Sequence, residues 1–284
     1  MAPVKVNYSL PDLQIRRVER QPEIIRPVYA SSAMEVTQGE FLLKVPGVAD
    51  FYVAEGHLVE YMCHSGADRE WIRLYLEGVV LVALLHQRDI ISFHASSFVT
   101  EGKGVIILGE TGVGKSSLTL SFAMEGAGFL TDDLTPVVFS GGSPCVMLLR
   151  RRLKIRSATA AELGVESDRL TDAESGTGKK YMEMLPVTAS EHPVDIILKI
   201  EVGEVAGPVY EEPAPAEKFS VLRSEVCSWE ILAGMPETEA AYLQQIVDIV
   251  RKVKIYRVTR PAGIRIADFY ESVRAFLGRY SGTE

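Results

Sequence analysis

Apolar and polar positions change period several times along the chain. The first 27 or so residues are polar and carry Pro3, Pro11, Pro22 and Pro27, the composition of an extended arm or an edge strand. From Glu40 the pattern turns strand-like. Residues 41–45, 50–54 and 57–61 form short runs separated by Pro46-Gly47 and Glu55-Gly56. From Asp68 a helical period takes over, with Trp71, Leu74, Tyr75, Val79, Val82 and Leu85 at three- and four-residue steps. One helix is predicted, ending near Gln87. Residues 90–99 then read as a strand that pairs with 105–108 in a hairpin across the turn at 101–104.

The second half alternates strands and helices. A half-buried helix is predicted at 117–125, apolar at Leu118, Leu120, Phe122 and Ala123 and ended by Gly126 and Gly128. Strands follow at 129–131 and 136–139, and a short helix at 158–163. Residues 164–180 are polar and aperiodic, carry Gly176 and Gly178, and read as a long loop or lid. An apolar strand at 194–202 leads into a turn-rich acidic connection at 205–215, with Pro208, Pro213 and Pro215. Helices at 225–232 and 237–252, a strand at 254–258 and a closing helix at 266–280 complete the chain. The closing helix carries Phe269, Val273, Phe276 and Leu277 on one side. The pattern predicts a small β-rich unit at residues 1–67 and an α/β domain at 68–284.

Composition narrows the classes of function. A 47% hydrophobic content is ample for a core, and a net charge of −8 argues against a nucleic-acid partner. Cys63, Cys145 and Cys227 share no metal spacing and read as reduced thiols. The first residues lack the apolar run of a signal peptide, and the longest apolar run, 78–85, is too short to cross a bilayer. A cytoplasmic protein without a membrane partner is expected. Asn7 is the only asparagine, so neither a base-reading Asn-Lys-x-Asp nor the catalytic-loop Asn of a eukaryotic-type protein kinase is present. The superficially similar His86-Gln87-Arg88-Asp89 reads as a helix end. His57 and His64 read as surface or packing residues.

The strongest chemical signal lies between the 105–108 strand and the helix after it. Gly109-Glu110-Thr111-Gly112-Val113-Gly114-Lys115-Ser116 matches the phosphate-binding loop pattern in full, in the strand–loop–helix order the motif requires. Backbone N–H groups in such a loop converge on phosphate, helped by the positive end of the following helix. Lys115 supplies a point charge for outer phosphates, and the Ser116 hydroxyl suits Mg²⁺. The binding set is Gly109 to Ser117. Asp132 and Asp133 follow a short strand. Neighbours on an extended chain point to opposite sides, so one carboxylate can face metal and γ-phosphate and the other an ion-pair partner. His94, expected in mid-strand beside the loop strand, joins the candidates. The run Arg150–Arg156 has two readings, a solvated strand edge or a contact with an acidic substrate or the nucleotide phosphates. Lys179 and Lys180 are placed to reach phosphate when a lid closes.

Ser92-Phe93-His94-Ala95-Ser96-Ser97-Phe98-Val99, the glycine loop and Gly128-Phe129-Leu130-Thr131-Asp132-Asp133 together resemble the catalytic domain of the HPr kinase/phosphorylase family. Val45 to Phe51, Gly66-Ala67-Asp68 and Leu84 to Arg88 resemble HPr-kinase-like serine kinases of bacterial peptide-modification clusters, lasso-peptide kinases among them. The likeness spans about residues 45–140. It implies a P-loop α/β catalytic domain that uses ATP and Mg²⁺ to phosphorylate a serine hydroxyl. It also implies catalytic roles for Asp132 as base, Asp133, His94 and Lys115, with Ser116 and Asp133 at the metal. Related kinases assemble into oligomers, so a homo-oligomer is implied too. The family's Arg-Gly-Leu-Gly signature is absent after the Asp pair, so a peptide or protein serine other than that of HPr is the expected acceptor. Two other readings stay open: an ATPase or switch that transfers phosphate to water, and a regulatory nucleotide-binding module.

Overall fold

Strands Glu40–Val45, Ala49–Ala54 and Leu58–Cys63 form a meander because their apolar residues alternate in register. Phe41, Phe51, Val53, Val59 and Tyr61 bury one face, while Leu42, Tyr52 and Ala54 meet Ile24 on the other. The computed structural model describes residues 4–8, 10–20, 22–173, 178–185, 187 and 190–279. Pro3, Gly176 and Tyr280 lie outside these. The proline-bearing arm supplies an edge strand, Gln14–Arg17, parallel to Leu58–Cys63, and Met34–Val36 and Tyr29–Ala30 extend the other side.

The helix expected from Asp68 to Gln87 is two helices, Arg69–Glu77 and Val79–His86. The break falls at Gly78, where an added Cβ would lie 2.9 Å from the Leu74 carbonyl oxygen. The second helix is apolar on every side and buried. It packs on the meander strand Ala49–Ala54, so the expected 67/68 boundary is not where the chain divides. One unit holds residues 1–92 and 226–245, the other 93–225 and 246–284.

The second unit is built on a mixed six-stranded sheet in the order Gly128–Thr131, Ser96–Thr100, Lys103–Leu108, Ile196–Gly203, Lys254–Pro261, Val209–Glu211. The expected hairpin is present: Thr100 pairs with Lys103 across Glu101 and Gly102, both at positive φ, the geometry that matches strand twist. Lys103–Leu108 and Lys254–Pro261 flank Ile196–Gly203 in parallel, and this central strand is nearly all apolar at its start, as a strand covered on both faces should be. Helices Lys115–Met124 and Ile266–Gly278 pack together. Phe98 stacks on Phe122 at 4.3 Å between ring centroids.

Three expectations fail locally. Residues 90–99 are two strands, Ile91–Phe93 and Ser96–Thr100, with His94 in the break, its N–H donated to Glu225 O at 2.9 Å. Part of 164–180 is paired strand: Lys179–Glu183 lies antiparallel between Arg152–Arg156 and Leu170–Asp172. Leu153, Ile155 and Met182 hold that small sheet by burying against Leu120 and Phe129. The helix expected at 225–232 is instead Pro215–Glu225 followed by the 3₁₀ turn Trp229–Gly234. Proline suits a first helical position, and Ser228 at φ 46° interrupts the path between the two. No helix among the described residues is long and apolar enough to cross a membrane.

Candidate functional site

The strand Lys103–Leu108 delivers the chain to Gly109, whose φ of 143° and surroundings admit no side chain. A Cβ there would lie 2.6 Å from Ile200 O and 2.8 Å from the Val113 side chain. Gly114, at φ 103°, then turns the backbone into the helix Lys115–Met124. The loop between is therefore shaped by glycine at both ends. Val113 anchors it from below: its side chain is buried, and its carbonyl accepts a bond from Arg260 Nε at 2.9 Å.

Beside the loop is a cleft of about 210 Å³. Thr111, Gly112, Gly114, Lys115, Ser116 and Ser117 line it from the loop side, with His94, Asp132 and Asp133 at its base. Gly109, Glu110 and Val113 do not line it; they set the loop's shape. Lys115 folds back on the loop, donating to Gly109 O at 2.6 Å and Glu110 O at 3.3 Å. Burial holds its pKa below the ordinary lysine value, opposed by the nearby Glu225 and the Asp pair.

The two aspartates have different surroundings. Asp132 is buried; its Oδ1 accepts the Ser116 hydroxyl at 2.8 Å and its Oδ2 accepts the Lys154 backbone N–H at 2.8 Å. Burial and the adjacent Asp133 carboxylate push its pKa up to about 6. Asp133 sits at φ 69°, a conformation that costs free energy for a residue with a Cβ and that recurs at functional sites. Its half-exposed carboxylate lies 3.8 Å from His94 Nδ1 and 3.9 Å from Lys154 Nζ. The His94 ring also meets the Asp133 carbonyl oxygen at 3.2 Å, where Nδ1–H is the donor. Burial, then the Lys115 charge, hold His94 below the usual histidine pKa, so the ring is neutral at pH 7.

The sequence pairs Asp133 with Ser116 at the metal and makes Asp132 the base; in the structure it is Asp132 that touches Ser116. The reason is the backbone: positive φ at Asp133 turns its side chain away from the loop, toward His94 and Lys154. Ser116 Oγ and Asp132 Oδ1 are hard oxygen donors of the kind Mg²⁺ takes. Among the described residues no group of three or more His, Cys, Asp or Glu could hold a metal. That fits Mg²⁺, which is held by one or two protein oxygens together with phosphate and water.

Several residues of the site escaped the sequence reading. Ser96 is buried and donates to Thr119 Oγ1 at 2.7 Å, beside Asp132. Lys199 and Glu225 form an ion pair with both side chains largely buried, close enough to act on Lys115. Lys199 had a legible signal, a charge set in an apolar run; Glu225 had none. Of the basic run, Arg150 and Arg152 are buried, Arg152 stacking 3.7 Å over the Tyr181 ring. Lys154 and Arg156 line the cleft, as does Lys179; Lys180 instead pairs with Asp172 at 2.6 Å.

No family model and no curated protein matches this sequence. Among solved structures the chain is similar to the Hpr(Ser) kinase/phosphatase from Coxiella burnetii, with 14% identity over 67% of this chain and 93% of that one and a TM-score of 0.36. The likeness is distant, and the roles assigned below rest on the contacts just described.

Proposed function

We propose that the unit of residues 93–225 and 246–284 is an ATP- and Mg²⁺-dependent phosphotransferase acting on a serine hydroxyl of a peptide or protein, ribosomally made precursor peptides of the lasso type among the candidates. The observation that carries this reading is the 2.8 Å bond from Ser116 to buried Asp132 directly under a glycine loop, with half-exposed Asp133 one residue away in the same cleft.

In this reading the loop N–H groups and Lys115 hold the outer phosphates, Lys115 leaving its loop carbonyls to do so. Ser116 and Asp132 are the residues that would hold magnesium, which when bound would supply charge neutralisation at the phosphates. Asp133 accepts the serine proton as the serine oxygen bonds to the γ-phosphorus and the bond to the leaving ADP oxygen breaks. Neutral His94 orients Asp133 from its backbone and carboxylate side. In this proposal Lys115, His94 and both aspartates act at the site, the two carboxylates in the opposite roles to those the sequence suggests.

The test is incubation with [γ-³²P]ATP, Mg²⁺ and serine peptides. Label on peptide supports the reading. Label released only as inorganic phosphate from an intact site identifies an ATPase or switch instead.

A further inference from the structure

Two lysines flank the point where the strand Lys103–Leu108 enters the glycine loop. Lys199, on the central strand Ile196–Gly203, stands in register with Leu108, the last residue before the loop. Lys115 reaches back across the loop to Gly109 O, one residue further on. Side chains alternate along a strand. Ile107 and Leu198 turn into the core that holds Leu118 and Phe122, so Leu108 and Lys199 take the other face. There Lys199 meets the Glu225 carboxylate.

An ion pair this deep is costly to build, with only 12% and 11% of the two side chains exposed. Stability alone does not account for it, because apolar residues of similar volume often do as well or better. Its place does. Glu225 ends the helix Pro215–Glu225, and its carbonyl oxygen accepts the N–H of His94, the residue that meets Asp133. Its carboxylate attracts the Lys115 ammonium more strongly than Asp132 or Asp133 does, and Lys199 opposes that attraction. One carboxylate is thus contested by two ammonium groups, and Lys199 holds it by direct contact. Lys115 is left on two neutral carbonyls, Gly109 O and Glu110 O. Neutral acceptors release an ammonium at less cost than a carboxylate does.

We propose that Lys199 is a positioning residue for nucleotide binding: by occupying Glu225 it keeps Lys115 on neutral carbonyls, from which the ammonium turns to the outer phosphates. This rests on the part of the kinase reading that places those phosphates at the glycine loop. It demands that removing either charge of one ion pair shift nucleotide affinity in opposite directions.

The experiment is calorimetric titration of a non-hydrolysable ATP analogue with Mg²⁺ into the full chain, with melting temperatures recorded alongside. Lys199→Met leaves Glu225 to capture Lys115, so the analogue should bind about 10–100-fold more weakly, the worth of a charge-assisted bond. Glu225→Gln removes the competitor, so binding should tighten by at least about twofold. Both variants should melt lower, since each strands a buried charge. A pair that only supports the fold would weaken binding in both. The double variant Lys199→Met/Glu225→Gln should return binding to near the wild-type value. Weaker binding by Glu225→Gln, or a double variant as weak as about one-tenth of wild type, overturns the proposal, and neither result needs Lys199→Met to fold. A folded Lys199→Met that binds as the wild type does overturns it too. Failure of the nucleotide reading shows separately, as a wild type that binds no analogue.

Discussion

His86 with Tyr242 in one unit, and Asp132, Asp133 and His94 in the other, are both groups of ionisable side chains with a buried member, yet they are built to opposite ends. His86 Nδ1 meets the Tyr242 hydroxyl at 2.9 Å, and that hydroxyl donates to Ile90 O at 2.7 Å. The rings pack edge to face at 5.4 Å. Burial pushes His86 down to about 4. A residue at positive φ adjoins this pair too, Ser228, whose carbonyl oxygen meets His86 Nε2 at 3.4 Å, but neither ring lines the cleft beside the glycine loop. A displaced pKa alone therefore marks burial. What sets the aspartate group apart is that its members line an open cleft.

The largest effect that can break this comparison is at Asp133. Asp133→Asn keeps the shape and removes the base, so phosphoryl transfer should fall about 10²–10⁴-fold, measured by label on peptide, with the melting temperature little changed. Lys115→Ala removes a donor to the outer phosphates and should lower turnover about 10²–10³-fold. Unchanged turnover in that variant contradicts the loop assignment.

The other group should respond in stability and not in turnover. His86 is held neutral in the fold: its pKa is depressed from 6.5 to about 4. The stability it contributes is present above pH 6.5 and is lost as pH falls from there toward 4, up to about 3 kcal/mol. Urea midpoints recorded between pH 7 and pH 4 should fall over that window, and His86→Leu should flatten the slope. Tyr242→Phe leaves a buried ring nitrogen and a carbonyl without their partner and should cost about 1–3 kcal/mol, with transfer intact. A variant of His86 or Tyr242 that lost transfer while remaining folded would erase the distinction between the two groups.

Much of this was legible in the sequence where local chemistry dominates. The glycine loop was readable because Gly109 and Gly114 occupy backbone conformations other residues avoid. The 101–104 turn was readable for the same reason, and the meander strands by their alternation. What escaped depended on distant partners. The helix through Gly78 kept its apolar period across a backbone break. The segment 164–180 has no periodicity of its own and gains its strands only by pairing with Arg152–Arg156. Which aspartate meets Ser116 turned on one dihedral angle at Asp133, which residue type does not reveal. Glu225 reaches the site through the fold from the end of a helix the sequence did not announce.

Calorimetric titration of a non-hydrolysable ATP analogue, with and without Mg²⁺, into wild type, Asp132→Asn and Asp133→Asn tests the assignment of the carboxylates most directly. Asp132→Asn should lose about 10–100-fold of the Mg²⁺-dependent affinity, while Asp133→Asn binds as the wild type does. The reverse pattern, with affinity lost at Asp133 and kept at Asp132, would contradict it.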